Sequence, residues 1–302
     1  MKTEFIGTIL AIFTAVISGF AIIANKIFII NLDPTIFTSI RALFVGIIFF
    51  VISSFQCKFD YKKFKKVKWS YLIAIGFIGG ALAFLLFFSG LKFTTGGRAA
   101  FIHKTLPIYI TIFAVLFLKE RVTMKQSFAL IIMLLGLFIL TSSQITPTSL
   151  WLNPCLGDLL VVSATILWAV ENIIAKHAMI KGESNFVVTF ARMFIGFVFL
   201  FLSIPLLGKM DLLSNLTLEQ TTNIMISTVI LLGYVLLWYW SIKYINVSKA
   251  STILLLAPVI SLIFGVVALN EPVPINQLLG SALILIGAYF VVKIKSEFTT
   301  GV

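Results

Sequence analysis

The sequence predicts an all-α polytopic membrane protein in which ten transmembrane helices form two inverted five-helix repeats. Three observations support this fold class. First, 60% of the 302 residues are hydrophobic, only 11% are charged, and the mean hydropathy is +1.11. Second, ten apolar stretches each reach the ~20 residues that a helix needs to cross ~30 Å of hydrocarbon. Third, one apolar segment occurs twice, about half a chain apart.

The ten predicted spans follow one another with short polar connections. They are residues 5–30, 34–56, 69–91, 97–118, 124–142, 154–178, 184–208, 221–244, 248–269 and 274–292. Lipid offers no partners to backbone amides, and the runs are too evenly apolar for barrel strands, so the spans are helices. Residues suited to a first helical turn precede or open six spans: Asp33-Pro34, Thr123, Asn153-Pro154, Ser184, Ser248 and Pro274.

The repeated segment sets the domain organisation. Residues 107–136 recur as residues 258–287, with 10 of 30 positions identical and no gap. Five spans per copy is an odd number, so the second copy enters the membrane inverted relative to the first. Inverted repeats commonly pack about an axis in the membrane plane and enclose a site at their interface. We assign residues 5–142 to the first repeat and 154–293 to the second.

Basic residues predict the orientation. With the N-terminus inside, the cytoplasmic side carries 16 Lys and Arg residues and the outer side carries 4. The positive-inside rule therefore places both termini in the cytoplasm, in a multi-pass protein of the cell inner membrane. The net charge of +12 then reflects orientation and contact with anionic membrane lipid, and we expect no nucleic-acid partner. Cys57 and Cys155 fall on opposite faces, where they cannot form a disulfide.

Comparison of the two copies separates architectural residues from candidate ligand contacts. Polar or helix-breaking residues present in both copies are assigned first to the fold; these pairs are Pro107 and Pro258, Glu120 and Glu271, Lys92 and Lys243, and Arg41 and Arg192. Residues that are polar in one copy only include His103, Lys104, Glu171 and Asn172, which match Leu254, Leu255, Ala21 and Ile22. A charge in mid-membrane costs ~2.5–3.5 kcal/mol on insertion scales, so these four are site candidates.

Depth along the helices indicates which charges meet. Arg41 and Lys104 both lie about 10 Å below the outer boundary at ~1.5 Å per residue, so they could bind one anionic group. Lys104 could instead extend its ammonium to the outer headgroups. Glu171 and Arg192 share a level nearer the inside, where Glu171 either pairs with Arg192 or carries a proton. We favour the proton carrier, because Trp168 and Asn172 share its helix face.

Several of these features resemble one known family. The twice-found Pro, Glu and Gly spacing, the segments 90–94 and 241–245, Trp168 with Lys176, and Arg41 with Arg192 are similar to the EamA domain of the drug/metabolite transporter superfamily. The resemblance covers two EamA domains and departs at Ser18, where an aromatic residue is expected. It implies secondary active transport of small metabolites through a central cavity.

We therefore predict a secondary active transporter that exports an amino-acid-like or other carboxylate-bearing metabolite by alternating access. Arg41 and Lys104 would attract its anionic group, Asn172 would form a hydrogen bond, and Trp168, Tyr234 and Trp238 would form the walls. Glu171 and His103 would carry a coupled proton, although His103 could simply be a helix contact. Tyr239 is assigned to packing or the interface belt.

Alternative functions remain at this point. One is a lipid or lipid-linked sugar carrier, and another is a channel or partner subunit without a transport cycle. Enzyme signatures, metal-ligand clusters and cofactor motifs are absent from the sequence, so we expect no catalytic residues, no metal and no cofactor. The protein is expected to be a monomer or a homodimer.

Overall fold

The described part of the chain contains ten helices that are long and apolar enough to cross a membrane. The computed structural model describes residues 2–29, 31–56, 68–142 and 155–295. The helices are α1 (Thr3–Phe28), α2 (Pro34–Phe55), α3 (Trp69–Gly90), α4 (Gly96–Leu118), α5 (Met124–Thr141), α6 (Leu156–Ile180), α7 (Asn185–Leu206), α8 (Leu218–Tyr244), α9 (Val247–Leu269) and α10 (Ile275–Lys293). The predicted ten-helix membrane fold is confirmed. The predictions for Cys57, Asn153 and Pro154 lie outside the described residues.

The helix boundaries follow the predicted spans within two residues, with one exception. Helix α8 begins at Leu218 rather than at residue 221. The reason is a capping box: the Thr217 hydroxyl accepts from the Gln220 amide at 3.2 Å, and the Gln220 side chain accepts from the Thr217 amide at 3.0 Å. These two hydrogen bonds extend the helix by one turn.

The packing of the helices is matched between the repeats. Helix α1 packs along α8 and α9 of the other repeat, and α6 packs in the same way along α3 and α4. Helices α5 and α10 pack against each other through glycines. A Cβ atom at Gly136 would lie 2.7 Å from the carbonyl oxygen of Gly280, so only glycine permits this approach.

Helices α4 and α9 are each divided into two halves near the middle. Helix α4 consists of α4a (Gly96–Lys104) and α4b (Leu106–Leu118), and α9 consists of α9a (Val247–Ile253) and α9b (Ala257–Leu269). Pro107 and Pro258 lie in the first turn of α4b and α9b. Proline has no amide hydrogen and clashes with the preceding turn, so the hydrogen-bond ladder opens there.

Helices α3 and α7 each contain one wide, π-type turn, at Ile78–Leu82 and Ala191–Ile195. The two turns pack against each other with Gly80 against Gly196, which leaves no room for a side chain at either position. π-type turns often occur at functional sites because they redirect side chains and free carbonyl oxygens.

The two ends of the helix bundle differ. The Glu120 end holds the start of α1 and the turn between α8 and α9, and an ion pair of 3.2 Å joins Glu4 of α1 to Lys249 near the start of α9. At this end, α4b packs against α9a. The opposite end, called the Glu271 end, holds the turn between α3 and α4. There α4a packs against α6, and α9b packs against α1.

Candidate functional site

A cavity of about 380 Å³ lies between the repeats, beside the interruptions of α4 and α9. Residues from α1, α2, α3, α4, α6, α7, α8 and α9 line it. Its wall includes Asn25, whose neighbour Lys26 binds Glu271, and also Arg192 in the π-type turn of α7. The cavity therefore extends from the middle of the bundle toward the Glu271 end.

Lys104 and His103 occupy the last turn of α4a, directly before the interruption, and both line the cavity. The His103 ring packs edge-on against Trp168, with centroids 4.9 Å apart, and lies 5.7 Å from Phe87. Within the described residues, no hydrogen bond joins His103 to Glu171, and no carboxylate forms an ion pair with Lys104. The Lys104 charge therefore faces the cavity without a protein counter-ion there.

Arg41 enters the cavity wall from α2 and is held by neutral groups. Its guanidinium donates to the Ser227 hydroxyl at 2.7 Å and approaches the Asn25 amide oxygen at 3.5 Å. It also stacks over the Phe37 ring, 4.1 Å from the centroid. The residue is 8% exposed, and its Nε atom has no hydrogen-bond partner. These contacts fix the position of Arg41 but do not neutralise its charge.

Arg192, the counterpart of Arg41, is neutralised. Its guanidinium lies 3.3 Å from the Glu171 carboxylate, and it donates to the Tyr239 hydroxyl at 3.1 Å. Tyr239 donates in turn to the other Glu171 oxygen at 2.5 Å. Glu171 is fully buried beside Gly79, where a side chain at position 79 would collide with it. Tyr239 is also fully buried, so it does not belong to an interface belt.

The contact between Glu171 and Arg192 is an ion pair with poor hydrogen-bond geometry. The Glu171 oxygen nearest to Arg192 satisfies the distance for an ion pair but makes no hydrogen bond. The two side chains still attract each other as a charge pair, because separation dominates the electrostatic attraction in a buried site. The sequence-based expectation that these two residues share one level of the membrane agrees with this distance.

The aromatic candidates form one connected wall. The Trp168 indole donates to the Gly79 carbonyl at 3.1 Å, and the Trp238 indole donates to the Asn172 amide oxygen at 2.8 Å. The Asn172 amide group donates to the Trp168 carbonyl at 2.8 Å. Tyr234 lines the cavity one helical turn from Trp238. Asn172 therefore orients the Trp238 indole, the Gly79 carbonyl orients the Trp168 indole, and Asn172 also lines the cavity itself.

Glu120 lies outside the cavity and closes the Glu120 end. Its carboxylate accepts from the amides of Val247 and Ser248 at 2.8 and 3.2 Å, and from the Ser248 hydroxyl at 2.5 Å. These groups form the first turn of α9, whose own N-cap residue, Asn246, provides no side-chain cap. Glu120 thus caps a helix of the other repeat, because the first amides of a helix lack intrahelical partners.

Lys176 binds the helix that precedes this turn. Its ammonium donates to the carbonyl oxygens of Ile242 and Ile245 at 2.5 and 3.0 Å, at the C-terminal end of α8. It also lies within electrostatic reach of Glu120. A cation is stabilised at a helix C-terminus, just as a carboxylate is at an N-terminus. Together, Lys176 and Glu120 hold both sides of the turn between α8 and α9.

Glu271 has a different environment. It forms an ion pair of 2.6 Å with Lys26, and the two side chains are 37% and 63% exposed. The backbone of Glu271 still terminates α9, because its amide donates to the Gly265 carbonyl. The Glu120 amide donates in the same way to the Ala114 carbonyl at the end of α4. Asn270 and Lys119 precede the two glutamates in the left-handed conformation. The backbone roles of the two glutamates are thus the same, and only the side-chain roles differ.

Three cavity residues, Asn25, Ser227 and Ser18, were not among the predicted site residues. The first two position Arg41, and Ser18 lines the wall. Comparison of the two copies could have identified all three, because each is polar while its counterpart in the other copy is not; the counterparts are Ala175, Gly76 and Trp168. Within the described residues, no cluster of three or more His, Cys, Asp or Glu side chains could hold a metal ion.

The fold and cavity define a polytopic membrane protein built from two repeats around a central site. A family model described as the EamA-like transporter family matches residues 5–142 and 155–293. The chain belongs to this family. The predicted resemblance is thereby confirmed, and the protein is a transporter of the EamA type.

Individual relatives agree with the family assignment. An uncharacterized transporter, YoaV of Bacillus subtilis, is 26% identical over 90% of this chain and 91% of its own length. A probable amino-acid metabolite efflux pump of Salmonella typhimurium is 23% identical over 93% of this chain and 92% of its own length. One solved crystal structure has a TM-score of 0.74 at 17% identity, covering 94% of this chain and 96% of that chain. That similarity concerns the fold.

Proposed function

We propose that this protein is a secondary active transporter that exports a small carboxylate-bearing metabolite across the cytoplasmic membrane by alternating access. The observation that carries the proposal is the central cavity, which lies between the two repeats and has two cationic side chains, Arg41 and Lys104, that form no ion pair with any described carboxylate. A cavity near the midplane between two such repeats is the usual substrate site of this architecture.

The orientation follows from the distribution of basic residues. The positive-inside rule places the Glu120 end, both termini and the segment around Lys68 in the cytoplasm. The cavity then extends toward the outside, and the contacts of Glu120 and Lys176 close the cytoplasmic side. This arrangement corresponds to an outward-facing state of the transport cycle.

Each cavity residue has a proposed role. Lys104 and Arg41 bind the anionic group of the substrate, while Trp168, Tyr234 and Trp238 contact its apolar body. Asn172 retains one amide hydrogen for the substrate after its contacts with the two tryptophans. Glu171, which lies behind the wall against Arg192, and His103 carry a coupled proton. The named function of the Salmonella typhimurium relative supports an amino-acid-related substrate.

The test is the Lys104→Leu variant, which copies the residue of the second repeat at this position. We expect normal folding and loss of saturable transport in proteoliposomes, because the cation in the wall would be gone. Lys92→Leu, at an exposed position in the turn between α3 and α4, is the matched control and should transport normally. Wild-type kinetics for Lys104→Leu would contradict the proposal. Non-saturable flux in the wild type would favour a channel.

A further inference from the structure

The charge of the cavity wall is unbalanced. Three of its residues are cations, Arg41, Lys104 and Arg192, and among the described residues that line it none is an aspartate or a glutamate. Glu171 neutralises Arg192 from behind the wall. Arg41 is bound by neutral groups, and Lys104 has no ion pair within the described ranges. Two positive charges therefore remain available to a ligand.

The polar oxygens of the wall are largely occupied. The Asn25 amide oxygen accepts from Ser227 at 2.7 Å, and the Asn172 amide oxygen accepts from Trp238. An ammonium group in this cavity would lose its hydration without gaining a carboxylate partner. It would also be repelled by Lys104 and Arg41, since like charges interact strongly where water is scarce.

The remaining wall is aromatic. Phe84 and Phe87 pack against Trp168, with ring centroids 5.1 and 5.5 Å apart, and Phe88 stacks on Phe84. All four rings line the cavity. Such a wall complements an apolar or aromatic body, while the two cations complement a carboxylate.

We infer that the cavity selects an organic anion with an apolar body and no ammonium group over the corresponding zwitterion. This selectivity deepens the proposed transport function and rests on it. An amino acid and the carboxylic acid that lacks only its amino group would thus be distinguished, in favour of the acid.

The test compares 3-phenylpropanoate with phenylalanine, which share a ring and a carboxylate and differ in the ammonium group. Binding to the purified full-length protein is measured in detergent at pH 7, by ligand-induced thermal stabilisation. We expect 3-phenylpropanoate to bind at least about tenfold more tightly. Lys104→Leu should abolish this preference, and Lys92→Leu should retain it.

Equal or tighter binding of phenylalanine would overturn the inference, and so would failure of both compounds to bind. Uptake into proteoliposomes separates the two proposals. If 3-phenylpropanoate binds selectively but is never transported, the transport proposal fails while the selectivity stands.

A second inference comes from the two ends of the bundle. At the Glu120 end, Glu120 binds the first amides of α9 and Lys176 binds the last carbonyls of α8. The alignment of the two repeats matches Glu120 with Glu271 and Trp168 with Ser18, and it also matches Lys176 with Lys26. The Glu271 end thus carries the same two residue types, next to the corresponding turn between α3 and α4.

At the Glu271 end the corresponding turn is not held in this way. Lys26 and Glu271 bind each other, as described above. Gly96, the counterpart of Val247, is exposed with open space where a side chain would lie, whereas Val247 is fully buried. The first turn of α4 is capped locally instead, by Thr95.

A pair of glutamines shows the same difference. Gln126 donates to the Ser248 hydroxyl at 3.3 Å and so adds to the contacts of Glu120. Its counterpart Gln277 is also buried, but among the residues that the structure describes its side-chain oxygen has no hydrogen-bond partner. A buried polar atom without a partner is costly, so a state that gives it one is favoured at this position.

We infer that Lys26 and Glu271 form a latch that is the inverted equivalent of Lys176 and Glu120. When the Glu271 end closes, Glu271 caps the amides of Gly96 and Gly97, and Lys26 binds the carbonyls at the end of α3. Glu120 and Lys176 then release the turn between α8 and α9. This inference rests on alternating access and identifies the contacts that exchange.

The test measures how fast Gly96→Cys reacts with a membrane-impermeant maleimide, in a protein that carries Cys57→Ser and Cys155→Ser. Glu120→Gln weakens the Glu120 end and should slow the reaction by about fivefold, because the population shifts toward a closed Glu271 end. Glu271→Gln should keep the reaction fast and abolish transport. Glu219→Gln, which alters an exposed carboxylate in the first turn of α8, is the control and should change neither.

Because Glu120→Gln removes buried contacts, Ser248→Ala provides a milder variant that removes one hydroxyl. It should slow labelling in the same direction. Unchanged labelling in folded Ser248→Ala and Glu120→Gln proteins would overturn the latch, as would wild-type transport by Glu271→Gln. Labelling reports the conformation without substrate, so the latch can hold even if the transported compound is not the one proposed.

Discussion

Lys176 and Glu120 are buried around the turn between α8 and α9, whereas their counterparts Lys26 and Glu271 form an exposed ion pair at the other end. The two arginines differ in a similar way. Arg192 is neutralised by Glu171, whereas the partners of Arg41 among the described residues are neutral. The repeats thus contain the same polar residues but satisfy them differently. Sequence symmetry shows where such residues lie, and the packed state decides which partner each one has.

The largest effect is expected where a buried charge loses its partner. Glu171→Gln should reduce the free energy of unfolding by about 4 kcal/mol, because Arg192 would remain buried and uncompensated. Arg41→Gln, which alters the counterpart of Arg192 in the other repeat, should cost about 1 kcal/mol because the partners of Arg41 are neutral. Chemical unfolding in detergent measures both.

The double variant Glu171→Gln with Arg192→Gln separates the ion pair from the proton role of Glu171. It should recover part of the lost stability and abolish the pH dependence of transport. Unchanged stability of the single variant would contradict the ion pair. Wild-type pH dependence in the double variant would contradict proton transfer through Glu171.

The next largest difference in stability is expected between variants of Glu120 and Glu271. Glu120→Ala should cost about 3 kcal/mol of unfolding free energy, since it removes charge-assisted hydrogen bonds to buried groups. Glu271→Ala should cost less than about 1 kcal/mol, as expected for an exposed ion pair. Thermal unfolding of the two variants, followed side by side in one detergent, tests the comparison. Equal losses would mean that the two ends are satisfied alike.

Substitution of Lys176 should again cost more stability than substitution of Lys26, but both losses should be smaller than for the glutamates. Lys176→Met keeps the chain length but removes the donor to two carbonyl oxygens, and we expect a loss of about 2 kcal/mol. Lys26→Met should cost about 0.5 kcal/mol because its ammonium is exposed. Lys26→Met should nevertheless slow transport, since Lys26 is needed when the Glu271 end closes. Transport by Lys26→Met at the wild-type rate would show that Lys26 takes no part in the transport cycle.

The smallest effect is expected from a substitution that makes the Glu271 end of the bundle resemble the Glu120 end. Gly97→Ser gives the Glu271 end the hydroxyl that Ser248 supplies at the Glu120 end. One additional hydrogen bond to Glu271 should favour closure, and labelling of Gly96→Cys should slow by about threefold. Gly97→Ala adds a side chain without a hydroxyl and is the control. Equal slowing by both would indicate crowding rather than hydrogen bonding.

Much of the fold could be predicted because apolar length and repetition are local signals. The ten spans, the repeats and the interruptions beside Pro107 and Pro258 all follow from residue types at known spacings. The π-type turns of α3 and α7 had no such signal. They lie at the contact of Gly80 with Gly196 across two helices, which a single span does not reveal.

The site was only partly accessible from sequence, for the same reason. The shared level of Glu171 and Arg192 followed from helix rise, but the third member, Tyr239, comes from another helix and resembled an interface residue. The roles of Lys176 and Glu120 depend on backbone groups of α8 and α9. Backbone amides and carbonyls are present at every residue, so the sequence does not indicate which of them a side chain will bind.

The contact of α5 with α10 determines where motion can occur. At Gly136 and Gly280 the two backbones touch directly, without intervening side chains that could change rotamer. Sliding of one helix on the other would bring carbonyl oxygens into collision, so this pair has a single register. The two repeats thus share one fixed helix contact, and we expect conformational change to occur instead in the divided helices α4 and α9. Bulky residues at either glycine would therefore change the spacing of the whole bundle rather than the shape of its cavity.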